Sequence, residues 1–179
     1  SKVCLLKTKR KNILNNNAVK LDKIDLKLIE FLQRHGRITN RELAQKISLS
    51  PSACLERHKK LEKSGIILSY GAKIALEKIT AYSAVLVEIT LKNHLSEDFQ
   101  RFENAMIKCP EVVDCYAVGG GIDYIVKFIT RDIEHYQIIM DRLLDENIGI
   151  DKYFTYFITR QIKKTPYPVS RFALKDSTE

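Results

Sequence analysis

No run of apolar residues in this 179-residue sequence is long enough to span a bilayer, which argues against a helical membrane protein. The Leu5-Leu6 pair near the start is broken at once by Lys7. No secretory leader is therefore expected, and the expected location is cytoplasmic. Cysteine is scarce. Cys4, Cys54, Cys109 and Cys115 form no Cys-x-x-Cys pair and match no histidine spacing, so neither a metal site nor a disulfide framework is expected. Cys54, Cys109 and Cys115 read instead as small buried hydrophobes. Acid is missing from residues 1–20, which carry Lys2, Lys7, Lys9, Arg10, Lys11 and Lys20. That segment reads as a basic mobile arm.

What is present describes a globular chain, 45% hydrophobic and 29% charged. The net charge of +8 is unevenly spread. Residues 1–75 hold 17 Lys/Arg against 6 Asp/Glu, and residues 76–179 hold 13 against 16. The halves are thus +11 and −3, which implies that one part meets a polyanion and the other does not.

The basic half is organised around Ile38 to Gly65. Thr39 is a natural N-cap, and Glu42 three residues later completes a capping box. Ser50 caps a second helix that opens on Pro51, where a missing N–H costs nothing. Gly65 closes that helix by entering the left-handed region that glycine tolerates. Two capped helices joined by Ser48-Leu49 meet the requirement of a helix-turn-helix. A preceding helix begins at Asp22, giving helices over 22–35, 40–47 and 51–64. On the last of these, Cys54, His58 and Leu61 share a buried stripe. Ser52, Ala53, Glu56, Lys60 and Lys63 point away, with Arg57 on the flank. Small polar groups first and cations later suit base edges near the helix start and phosphates further along. Residues 66–74 are β-rich and read as a short strand leading to a linker.

The second half alternates: strand 82–91, a helix capped by Ser96, strand 112–118, a Gly119-Gly120-Gly121 turn, strand 124–129, a helix from Asp132, and strand 153–162. This is the βαββαβ order of a split βαβ sandwich, with both helices on one sheet face. The bare opposite face predicts self-association. The division reads as an arm (1–20), a helix-turn-helix domain (21–74), a linker (75–81), a ferredoxin-like domain (82–164) and an extended or mobile tail (165–179). The fold class is α+β.

Catalysis finds little support. The glycine turn joins strand to strand with no Lys-Ser/Thr after it, so it is not a phosphate loop. His35, His58, His94 and His135 form no pattern with a nucleophile, and Asp123 is a lone carboxylate. No cofactor or metal is expected. No RNP1-like aromatic motif points to RNA.

The stretches LDKIDLKLIEFLQRHGRITNRELA, LSPSACLERHKKLEKSGII, VEITL and VGGGIDYIVK resemble the Lrp/AsnC, or feast/famine, family of transcriptional regulators over residues 21–164. The resemblance implies a winged helix-turn-helix domain that binds double-stranded DNA and a regulatory (RAM) domain that builds dimers and larger rings such as octamers. It also implies an amino-acid effector between subunits. By position it implies a DNA-binding set of Asn40, Ser50, Ser52, Ala53, Glu56, Arg57, Lys59, Lys60 and Lys63. Gly119, Gly120, Gly121, Asp123 and Tyr124 would form the effector turn, where Asp123 would either accept from an α-ammonium or only cap a tight hairpin. His58 stands where the family usually has an aliphatic residue, and Gly121 where many effector-responsive relatives carry a polar one. The alternatives are a small-molecule-binding assembly module and a nucleoid-associated, DNA-organising protein without an effector.

Overall fold

A computed structural model describes residues 20–173; most of the basic arm and the end of the tail lie outside the described residues. The chain divides into two compact units, at Ala72/Lys73 and again at Lys164/Thr165, so that the first unit is built from both ends of the chain.

In the first unit α1 (Lys23–Arg34), α2 (Asn40–Lys46) and α3 (Pro51–Lys63) pack around Leu28, Ile29, Leu43, Ala44, Ile47, Cys54 and Leu61. Each start is fixed locally. Asp22 accepts from the N–H groups of Ile24 and Asp25 at 2.9 and 2.8 Å, and Asp25 returns the bond to the Asp22 N–H. Thr39 and Glu42 form the expected box, and Ser50 Oγ accepts from the Ala53 N–H at 3.3 Å. Ser48, at φ 58°, makes the turn between α2 and α3, and Gly65, at φ 72°, ends α3.

Two expectations fail in this unit. Residues 66–74 form no strand. A strand needs a partner for its backbone, and the sheet among the described residues pairs only four other segments. The tail is not extended throughout. Val169–Ala173 forms a short helix, α6, with Val169 packed on the three-helix core. The Ser170 N–H donates to Glu30 Oε1 of α1 at 3.2 Å.

In the second unit β1 (Ser83–Leu91), α4 (Ser96–Lys108), β2 (Val112–Ala117), β3 (Tyr124–Thr130), α5 (Ile133–Asp145) and β4 (Ile150–Phe157) follow one another. The antiparallel sheet has the order β2-β3-β1-β4. Alternation along β1 sends Val85, Val87, Ile89 and Leu91 inward. They meet Phe102 and Met106 of α4 and Tyr136, Met140 and Leu143 of α5 in one core. The opposite face of β1 and β4 pairs Leu86 with Tyr156 and Glu88 with Phe154. There Phe154 stays 59% exposed and Tyr156 49%.

Three local expectations are corrected. Ser96 is the first helical residue of α4 and not its cap; the N-cap is Leu95, whose N–H is held by Asp98 Oδ2 at 3.3 Å. The last strand starts at Ile150, three residues before the expected Tyr153, because its ladder with β1 runs on to Leu91 through an irregularity at Thr90/Leu91. Cys115 is exposed, unlike the buried Cys54 and Cys109, since β2 is an edge strand at the margin of the helical layer.

Candidate nucleic-acid interface and effector turn

Helix α3 presents two different faces. Cys54 and Leu61 are fully buried, whereas Ser52, Glu56, Lys59, Lys60 and Lys63 are exposed and Ala53 is half-buried. The exposed set combines a hydroxyl, a carboxylate and three cations on one face, chemistry able to meet base edges and phosphates.

Two residues expected among the DNA contacts are engaged inside the protein. Arg57 Nη1 donates to Asp22 Oδ2 at 2.6 Å and to Asp25 Oδ1 at 2.7 Å, and Asp25 is only 4% exposed. The hydrogen bonds it donates to the Asp25 and Asp22 carboxylates raise the guanidinium's pKa. The Asp25 N–H, with Arg57 beside it, lowers that of the Asp22 carboxyl. Arg57 therefore ties α3 to the start of α1. Asn40 Nδ2 donates to the Pro51 carbonyl at 2.7 Å and so fastens α2 to the first turn of α3. Both side chains orient the helix from behind its outer face. Ser50 is occupied in capping, with its Oγ also 3.1 Å from Ser52 Oγ.

His58 faces a partner the sequence did not reveal. Its Nε2 hydrogen-bonds the Tyr70 hydroxyl, which in turn donates to Glu62 Oε1 at 2.9 Å. That chain requires the proton on Nε2. Burial of the hydroxyl end and the Glu62 carboxylate push the phenol up to about 12, although half of the Tyr70 residue is exposed. Residues following α3 are thereby pinned to its side without a β-ladder.

In the second unit the Gly119-Gly120-Gly121 turn is exposed. Of the three, Gly120, at φ 145°, occupies the region reserved for glycine. A Cβ on any of the three would meet open space. Their N–H groups make no hydrogen bond among the described residues. Asp123 closes the turn: its carbonyl accepts from Val118 and its N–H donates to Ile89, at 2.9 and 3.0 Å. Its carboxylate is occupied as well. Oδ2 accepts from the Leu91 N–H at 2.7 Å, and His94 Nε2 lies 3.1 Å from both oxygens. Tyr124, expected among the effector-binding residues, is 2% exposed. Its ring stacks on Phe102 with centroids 4.4 Å apart, and its hydroxyl donates to Glu103 at 2.9 Å. Alternation along β3 sends it into the core, one residue past Asp123.

Comparison with known proteins identifies both units. The profile for a winged helix-turn-helix DNA-binding domain matches residues 21–67, and that for the Lrp/AsnC ligand binding domain matches residues 84–168. The transcriptional regulatory protein DoeX of Halomonas elongata is 45% identical over 152 residues, covering 85% of this chain and 96% of its own. The chain belongs to the Lrp/AsnC family. This Lrp/AsnC protein is also 34% identical to the leucine-responsive regulatory protein of Escherichia coli over 145 residues, 81% of this chain and 88% of that one. Among solved structures it resembles an AsnC family regulator from Agrobacterium tumefaciens, with TM-score 0.79 and 30% identity over 84% of this chain and 99% of the other. It likewise resembles a Neisseria meningitidis transcriptional regulator in complex with L-Met, with TM-score 0.76 and 31% identity over 81% and 94%. It is a DNA-binding transcriptional regulator with a ligand-binding domain, and its relatives are regulators, not enzymes. No described helix is long and apolar enough to cross a membrane.

Proposed function

We propose that this regulator reads DNA sequence through the outer face of α3, and that a free amino acid bound at the Gly119–Asp123 turn adjusts how its copies assemble. Ser52, Ala53 and Glu56 meet base edges, and Lys59, Lys60 and Lys63 meet phosphates. Residues 75–81 link the DNA-binding domain to the ligand-binding domain. Copies associate through the bare sheet face around Leu86, Phe154 and Tyr156, first as dimers and then as larger rings such as an octamer.

One observation carries the effector reading. Unbonded backbone donors at Gly119 to Gly121 lie on the same turn as a shielded carboxylate at Asp123. The donors suit a carboxylate and the acceptor suits an ammonium, which together describe a free amino acid. The L-Met complex of a structural relative supports that ligand class. A ligand held more tightly by one assembly than another shifts their balance by its differential affinity. A second reading has support in the same place. The Leu91 N–H and His94 already occupy the Asp123 carboxylate, as they would in a DNA-organising protein whose turn is purely structural.

Screening all twenty amino acids at millimolar concentration, by melting temperature and light-scattering mass, separates the two. The effector reading expects at least one to shift both in the wild type and none to do so in Asp123→Asn, which keeps an acceptor for the Leu91 N–H. Silence from all twenty in the wild type leaves the structural reading standing.

A further inference from the structure

The candidate effector turn has a lid within its own chain. His94 lies in the short loop between β1 and α4, and this loop is tied down at both ends. The Lys92 N–H donates to the Gly149 carbonyl at 2.8 Å, and the Leu95 N–H to Asp98. The imidazole rests beside Phe99 of α4, with ring centroids 5.8 Å apart, and Nε2 sits equidistant from the two Asp123 oxygens. The exposures of the two side chains differ. That of His94 is 58% exposed, whereas that of Asp123 beneath it is 17% exposed. Rotation of His94 into solvent uncovers the carboxylate without moving the backbone. Oδ2 retains the Leu91 N–H in either state, while Oδ1 has no other hydrogen-bond partner among the described residues.

We propose that His94 is an internal stand-in for the ligand's α-ammonium. It covers Asp123 in the free protein and must be displaced when an amino acid binds, so it sets the affinity, while Asp123 sets the demand for a cationic head group. A nitrogen donor 3.1 Å from both oxygens occupies the position that an ammonium would take. Its removal therefore spares the ligand a competition, and a tethered ammonium in its place intensifies that competition. This rests on the reading of Asp123 as the ammonium acceptor.

The test titrates the full-length protein with L-leucine and L-methionine, and with their N-acetyl forms, by calorimetry. His94→Ala is expected to bind the free amino acids about three- to tenfold more tightly than the wild type, the range for one partly exposed charged hydrogen bond. His94→Lys is expected to bind them more weakly, and the N-acetyl forms should bind to none. The wild-type His94 Nε2 nitrogen resonance should shift on ligand addition as the ring leaves Asp123. A purely structural role would leave that resonance unmoved. Wild-type binding that is unchanged or weakened in His94→Ala overturns the lid and leaves the effector reading intact. Wild-type binding that survives Asp123→Asn refutes that reading, and the lid with it.

Discussion

Replacing Arg57 by alanine separates a base-reading arginine from one that holds the reading helix in place. The guanidinium bridges Asp22 and Asp25 at 2.6 and 2.7 Å, and Asp25 is almost wholly buried. Losing one partner of a fully buried ion pair costs about 3–5 kcal/mol, mostly as the penalty on the abandoned charge. Two features reduce this here. The Arg57 side chain is 32% exposed, and Asp25 keeps the hydrogen bond from the Asp22 N–H. A loss of about 2 kcal/mol is therefore expected, lowering the melting temperature of the helical unit by roughly 10 °C. Adding Asp25→Asn should restore part of that loss, because no orphaned carboxylate remains. Thermal melts at 222 nm on the single and double variants measure it. An Arg57→Ala protein that melts like the wild type but loses discrimination at one base pair would refute the argument and return Arg57 to the DNA surface.

The turn glycines should differ among themselves. Gly120→Ala forces a side chain into φ 145° and should cost about 1–3 kcal/mol, whereas Gly121→Ala meets open space and should be near neutral in the same melts. Acid should weaken the DNA-binding unit first. Hydrogen bonds from Asp25, Ser170 and Thr39 lower the pKa values of Asp22, Glu30 and Glu42 respectively. A carboxyl lowered on folding contributes stability in full above its unfolded pKa and loses it as pH falls through the folded one. Melts should therefore fall off below about pH 4, less steeply in Asp22→Asn. Lys63→Ala should weaken binding to all DNA sequences alike and flatten the slope of log affinity against log salt by about 0.9, the value for one phosphate no longer neutralised. An unchanged slope would remove Lys63 from the phosphate set.

Much of the fold was legible because its signals are local. Thr39 with Glu42, Ser50 with Pro51, and Asp132 ahead of α5 each satisfy donors within four residues, and all three helices begin where those residues direct. Alternation along β1 and β3 is a signal of the same local kind and matches their burial. What the sequence hid depends on distant partners. Arg57 sits on the flank of α3 by helical period, and nothing near it announces carboxylates 35 and 32 residues away. The apolar residues of 66–74 have strand composition, yet no ladder partner exists for them among the described residues. His94 had no pattern to mark it, because its partner Asp123 lies 29 residues on and reaches it only through the β1–β3 pairing. Tyr124 was grouped with the effector turn by its position beside Asp123, but it opens β3, whose alternation sends it inward.

Selection of bound sites from a randomised DNA pool shows whether α3 reads sequence. The full-length protein, with and without L-leucine or L-methionine, should enrich paired half-sites of two-fold symmetry. Their centres should lie about one helical turn apart, roughly 10 base pairs, or a multiple of that. Ser52→Ala and Glu56→Ala should each alter the preferred base at matching positions in both half-sites. Recovery of no motif at all, or of the same motif from both variants, would contradict the account.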